Sequence, residues 1–179
     1  MQTRILTLAL AAMVVMPAIA SAQQANPVAD AFRDNAREAA KNLIAAAEEF
    51  PADKYAYKPT PVQMSVGDIV VHLIQGNDYL CGSIGGTKAP ARTKVASTDS
   101  RDALLTQLRE SFAFCDQSLA PLSDANLGEQ LPFFGGRKMS RAAVMTVTTA
   151  DWADHYSQYA NYLRLNGLVP PTAVKKPAM

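Results

Sequence analysis

Asp151 and His155, in the stretch DWADHYSQYANYLRLNGLVPP, are the residues whose types and spacing can do chemistry. Four positions apart, they lie one above the other on a helix, and a carboxylate and an imidazole so placed can both reach one cation. They can equally pair with each other, by an ion pair or a hydrogen bond, with Trp152 and Tyr156 covering them; the spacing leaves both readings open. At about 100° per residue, Val144, Asp151, His155, Tyr159 and Tyr162 fall within roughly 80° of one another on the helical wheel. The two polar side chains therefore point into an apolar stripe, where burial is costly without a partner. Ala153, Ser157 and Arg164 face the other way, and Asp154 falls on the flank, which makes it the weaker ligand candidate. The only other histidine, His72 in VVHLIQGNDYL, lies to the side of the stripe of Leu73 and Ile74. Periodicity alone makes it an exposed or half-buried flank residue.

The elements that must position these side chains are helices. Asn26-Pro27 reads as a cap and first helical residue, and Val28, Phe32, Leu43, Ile44, Ala47 and Phe50 recur at helical spacing, which predicts a helix from about Asn26 to Phe50. Pro51, Pro59 and Pro61 make FPADKYAYKPTPVQM an extended connection, with Tyr55 and Tyr57 packed on the bundle. Ser65, with Asp68 three residues on, caps a second helix reaching about Ile84. The polar stretch GGTKAPARTKVASTDS is longer than a tight turn between antiparallel neighbours needs and suggests a crossover. A third helix starts at Asp99 or Ser100 and stops before Pro121, with Leu104, Leu105, Leu108, Phe112, Cys115 and Leu119 on its core face. After LPFFGGRK, Ser140 caps a fourth helix running to Asn166, closed by Gly167 and Val-Pro-Pro. On this last helix Tyr162 and Leu163 are expected in the core. Arg164 is expected outside it, near the C-terminal end where the helix dipole favours a cation. No strand pattern is evident, so the fold class expected is an all-α four-helix bundle.

The chain opens with the short basic start MQTR, the apolar run ILTLALAAMVVMPAIA and the small-residue sequence Ala20-Ser21-Ala22. This predicts a signal peptide over residues 1–22, a mature start at Gln23 and a periplasmic or secreted protein. No later apolar run approaches the roughly 20 residues that span a bilayer, so no membrane partner is expected after cleavage. Removing Arg4 takes the formal charge from +1 to about zero. With no basic run beyond Lys175 and Lys176, nucleic acid is excluded as a partner class. The remaining length suits one domain, residues 26–171, followed by a flexible tail, 172–179. Cys81 and Cys115 are the only cysteines. In an exported protein they suit a structural disulfide, and otherwise two buried thiols acting as small hydrophobes.

From about residue 26 to 171 the chain resembles the DinB-like (DinB/YfiT) superfamily of bacterial four-helix bundles. FPADKYAYKPTP followed by SVGDIVVHL, the crossover after the second helix, and DHYSQYANYLRLNGLVPP carry the resemblance. It implies an up-down-down-up topology with the long connection between helices 2 and 3. It also implies a divalent metal, held in the family by one histidine of helix 2 and two of helix 4 spaced by four. His72 matches the first and His155 the last, while Asp151 stands where the family has its middle histidine. An aspartate stops about 2 Å or more short of where an imidazole nitrogen reaches. The site therefore either closes around the metal as two histidines and a carboxylate, with zinc, nickel, manganese or iron(II) as candidates, or has lost the metal and keeps Asp151 to orient His155.

The activity implied is metal-dependent hydrolysis or group transfer on a small-molecule substrate, with Tyr156, Gln158 and Tyr159 as wall residues. Relatives of this kind include enzymes working with low-molecular-weight thiols, a chemistry that export disfavours because reduced thiols are scarce outside the cytoplasm. The alternative class is a non-catalytic exported bundle that binds a metal or small ligand, or that forms a homodimer through its helical faces. In the topology implied by the resemblance, helices 2 and 3 run parallel. Cys81 and Cys115 then lie at one height, and a disulfide between them is expected.

Overall fold

Local caps start three of the four helices. In the computed structural model, which describes residues 26–174, α1 spans Pro27–Glu49, α2 Val66–Gly85, α3 Arg101–Leu119 and α4 Arg141–Leu165. The leader expected over residues 1–22 and the tail beyond residue 174 lie outside the described residues. Ser65 and Asp68 form the expected capping box at α2, and Ser100 and Ser140 each accept a backbone N–H three residues on. The start of α1 differs: Asn26 precedes the helix, but its side chain makes no cap bond there. The Asp124 carboxylate instead accepts from the Val28 and Ala29 amides (3.1 and 2.8 Å), while Asn26 Oδ1 accepts from Ser123 Oγ and the Asp124 amide (2.9 and 3.0 Å). A loop distant in sequence thus supplies the negative charge that a helix start favours.

Contacts between the helices give their directions. Leu119, Asp116 and Arg109 of α3 meet Arg33, Arg37 and Glu48 of α1 in that order, so these two run antiparallel. Trp152, His155 and Tyr159 of α4 meet Asn77, His72 and Val66 of α2, again antiparallel. Phe32 and Phe50 lie against Trp152 and Tyr159, which makes α1 and α4 parallel. Asn77 bonds Ser111, and Cys81 is joined to Cys115 by a disulfide with Cα atoms 5.1 Å apart, so α2 and α3 run parallel at constant register. The bundle is therefore up-down-down-up, and residues 86–100 carry the chain back along its length, as parallel neighbours require.

The connection between α3 and α4 also departs from the expected loop. Between α3 and α4 lies a hairpin of β1 (Gln130–Pro132) and β2 (Lys138–Ser140), antiparallel with Leu131 opposite Met139. Gly135 and Gly136 at its turn have φ of 69° and 73°, which the glycines of FFGGRK adopt without a Cβ penalty. Three-residue strands, one ending in proline, leave no alternating pattern to read. Its strands touch the C-terminal part of α2 and the start of α4.

The core is one cluster to which all four helices contribute, with Phe50, Leu73, Leu108, Trp152, Tyr159 and Tyr162 among its largest members. Tyr55 is buried and donates to the Ala47 carbonyl, and Tyr57 packs edge-on against Tyr162. Tyr162 and Leu163 are in the core and Arg164 is exposed, as expected. The start of the expected tail is docked: Thr172 bonds the Tyr156 hydroxyl through both its Oγ1 and its amide (2.7 and 3.1 Å). Among the described residues no helix is long and apolar enough to cross a membrane.

Candidate metal centre

The antiparallel register of α2 and α4 brings His72, Asp151 and His155 together, with one ligand atom from each lying within 4.8 Å of the others. Asp151 Oδ1 is the hub, 3.2 Å from His72 Nε2 and 3.4 Å from His155 Nε2. The two imidazole centroids are 4.5 Å apart. Side-chain exposure falls from 43% at His72 through 25% at Asp151 to 7% at His155, so the group opens to solvent on its α2 side and is closed below. The flank position of His72 is what makes this possible. A residue in the centre of the α2 stripe faces the core, whereas a flank residue overhangs the groove between two neighbouring helices.

Both electrostatic shifts express this geometry. The hydrogen bond that His72 donates to Asp151 raises the His72 pKa, with burial opposing it and the carboxylate charge adding to it. Burial alone would push the Asp151 carboxyl up. Hydrogen bonds and charge from His155 and His72 outweigh it and hold the group well below the usual carboxylate range. Asp151 is thus an anion under all ordinary conditions.

The donor set fits a divalent cation. Two imidazole nitrogens and one carboxylate oxygen are a known first shell for zinc and for open-sided iron(II) sites. Bonds of about 2.0–2.1 Å in a tetrahedron place neighbouring donors roughly 3.3 Å apart. The two separations at Asp151 Oδ1 match that edge. The shorter reach of aspartate is met by letting one oxygen serve both histidines. One atom lacks support: His155 Nδ1 is buried without a hydrogen-bond partner. With Nε2 turned to a cation the ring proton sits on Nδ1, so among the described residues the usual outer acceptor is missing.

The neighbouring residues divide between site and scaffold. Asp154 is exposed and accepts from Gln158, as its flank position predicts. Tyr159, read from sequence as a wall residue, belongs to the core, where burial drives its hydroxyl pKa well up and the hydroxyl donates to the Val66 carbonyl at 3.3 Å. Tyr156 faces Thr172. Trp152 does not cover the Asp151–His155 pair; it turns inward between Phe32 and Phe112 and donates to Asn77 Oδ1 at 2.8 Å. Asn77 in turn donates to Ser111 Oγ at 3.0 Å, and Ser111 to the Leu108 carbonyl at 2.8 Å. This buried polar chain, absent from the sequence reading, joins α4, α2 and α3 one residue beyond Asp151.

Against known proteins, the sequence profile of the DinB superfamily matches residues 35–159. Among solved structures, a DinB-like protein of Bacillus subtilis is 20% identical, with a TM-score of 0.62 over 76% of this chain and 92% of that one. A DinB-like protein of Bacillus cereus is 18% identical, with a TM-score of 0.66 over 79% and 95%. A variant of a mycothiol-dependent maleylpyruvate isomerase is 12% identical, with a TM-score of 0.60 over 73% of this chain and 60% of that one. At these identities the likeness establishes the fold. No curated protein matches the chain.

Proposed function

Because the chain belongs to the DinB superfamily, we propose that it is an exported protein that binds a divalent metal through His72, Asp151 and His155 and uses it in hydrolysis or group transfer on a small molecule. The observation that carries this reading is the convergence of two imidazole nitrogens and one anionic oxygen from two antiparallel helices. When bound, zinc, nickel, manganese or iron(II) supplies Lewis acidity and open positions for a water or a substrate oxygen. The protein's own contribution is geometric and electrostatic. His155, seated in the core edge, fixes the depth of the site; Asp151 brings a permanent negative charge and makes a poor base; His72 forms the solvent side, where a substrate enters. The buried disulfide supports an oxidising compartment.

A second reading is favoured by one observation. Asp151 already has His72 as a hydrogen-bond partner and His155 within ion-pair distance, so the group can be satisfied as a purely structural bridge in a non-catalytic bundle that binds small ligands or dimerises. Equilibrium metal binding separates the two. The purified full chain is incubated with zinc, nickel, manganese or iron(II), and bound metal is measured after removal of the excess. The proposal expects a bound ion in the wild type, an affinity at least about tenfold lower in His155→Ala, and a higher affinity in Asp151→His. A chain that stays metal-free in all four cases overturns it. Sequencing of the exported protein's N-terminus is expected to begin at Gln23.

A further inference from the structure

The face of α2 that carries His72 continues past the candidate centre. On α2, His72, Gly76 and Tyr79 follow one another at four and then three residues, along one helix face. On α4, Val147 precedes Asp151 by one turn and is half-buried on the same side. Gly76 is the gap in this wall. A Cβ there would meet only Asp151 Oδ2, at 3.8 Å, so the helix face between His72 and Tyr79 carries no side chain of its own and has room at Gly76. A glycine inside a helix is unfavourable by about 1 kcal/mol relative to alanine. The three other glycines of this helix, Gly67, Gly82 and Gly85, lie close to neighbouring backbone and have that packing reason, and Gly76 has none.

The far end of this face is closed by the hairpin, whose strands contact both helices. Tyr79 stacks against Phe134 with ring centroids 4.4 Å apart, and its hydroxyl donates to the Pro132 carbonyl at 3.4 Å. Phe133 lies edge-on to Phe134 at 4.9 Å and has the Arg137 guanidinium over its ring at 5.2 Å. The ring pair is well braced, yet Tyr79 is 38% and Phe134 53% exposed. Beyond Tyr79 a depression of about 710 Å³ opens toward Ala89, Leu131 and Pro132. Braced, stacked and exposed aromatic rings on the helix face that carries His72 and Gly76 form a surface for a flat apolar group.

The geometry points to a substrate or ligand that carries an aromatic or other flat apolar group, stacked on Tyr79 and Phe134, and a polar group presented to His72, Asp151 and His155. Seven residues of helix separate His72 from Tyr79, so the two groups stand about 10 Å apart. The inference deepens the metal reading and rests on it for the polar end, while the aromatic end is defined by the hairpin alone.

The two ends are tested separately. In the metal-free full chain, 4-phenylbutyrate is titrated while the ring signals of Tyr79 and Phe134 are followed by NMR. Both are expected to shift in a saturable manner, and the Tyr79 response is expected to be lost in Phe134→Ala; silent rings overturn the aromatic subsite whatever the metal does. In the zinc-loaded chain, acetohydroxamate, benzohydroxamate and 4-phenylbutanohydroxamate are compared. The long-armed compound is expected to bind about five- to tenfold tighter than acetohydroxamate, with the gain abolished by Phe134→Ala. Gly76→Leu is expected to weaken the long compound more than acetohydroxamate. Equal affinities across the series, or a gain that survives Phe134→Ala, refute the alignment of aromatic pair and centre. A chain that takes none of zinc, nickel, manganese and iron(II) refutes the metal reading and, with it, the polar end, while the NMR titration still decides the aromatic one.

Discussion

Removing the Cys81–Cys115 bond is expected to lower the stability of the bundle by about 4 kcal/mol. The bond closes a loop of 34 residues. In the chain-entropy relation a closed loop of that size restricts the unfolded chain by roughly 12.6 cal/mol/K, or about 3.8 kcal/mol at 25 °C. Both cysteines are fully buried, so Cys81→Ala with Cys115→Ala also removes two packed sulfurs and adds on the order of 1 kcal/mol of cavity cost. Reduction of the wild type removes the cross-link alone. At about 2–4 °C per kcal/mol for a domain of this size, the reduced protein should melt roughly 8–15 °C lower. Urea unfolding followed by Trp152, which leaves its place between Phe32 and Phe112, measures the difference with and without reductant. The double alanine variant serves as the control that should not respond to reductant. A loss below about 1 kcal/mol on reduction would show that the entropy argument fails for this loop. Two titratable thiols in the unfolded, unreduced protein would remove the bond itself.

Asn77→Ala should cost about 1–3 kcal/mol in urea unfolding, because it strands the buried Trp152 indole N–H; a change under about 0.5 kcal/mol would mean that the indole finds another acceptor. Gly67→Ala and Gly76→Ala should move stability in opposite directions. At Gly67 the new Cβ would fall 2.4 Å from the Ser97 carbonyl oxygen, whereas Gly76 has room and gains up to about 1 kcal/mol of helix propensity, so equal signs in thermal melts contradict the argument. Hydrogen bonds from Ser97 and Ser65, with the Lys58 charge, hold the Asp68 pKa below its ordinary value of 3.8. Its contribution is therefore complete above that value and is lost as pH falls through the lower folded value, so the stability gap between wild type and Asp68→Asn should narrow toward acid. A gap that widens there reverses the sign and refutes the assignment.

The helices were legible because their ends carry local chemistry: Ser65 with Asp68, Ser140 and Gly167 act within a few residues of themselves. Asp151 and His155 were legible for the same reason, being one turn apart. His72 was not, because periodicity reports distance from the core and a groove ligand sits at the edge of that scale; only the family resemblance singled it out. The Trp152–Asn77 bond links residues 75 apart, and it exists through the α2–α4 register, which no local pattern encodes. Asp124 as the cap of α1 is a longer-range case still, 96 residues from Val28, and it displaced Asn26 from a role that Asn26-Pro27 signals locally. The hairpin escaped because three-residue strands have no period, yet it carries Tyr79's ring partner.

The parallel pairing of α2 and α3 has a consequence for the order of folding. Asn77 with Ser111 and Cys81 with Cys115 are each 34 residues apart, and Ser118 with Cys81 is 37. In an antiparallel hairpin the first contacts form beside the turn and the rest follow outward from short loops to long ones. Here no short loop exists, and every contact between the two helices closes nearly the same length of chain. Whichever forms first brings the remainder into register together, so this pair zips in one step from any point along its length. An oxidant that joins Cys81 to Cys115 early would fix that step, so refolding of the oxidised chain should be faster than that of the reduced one, with the two unfolding rates differing less.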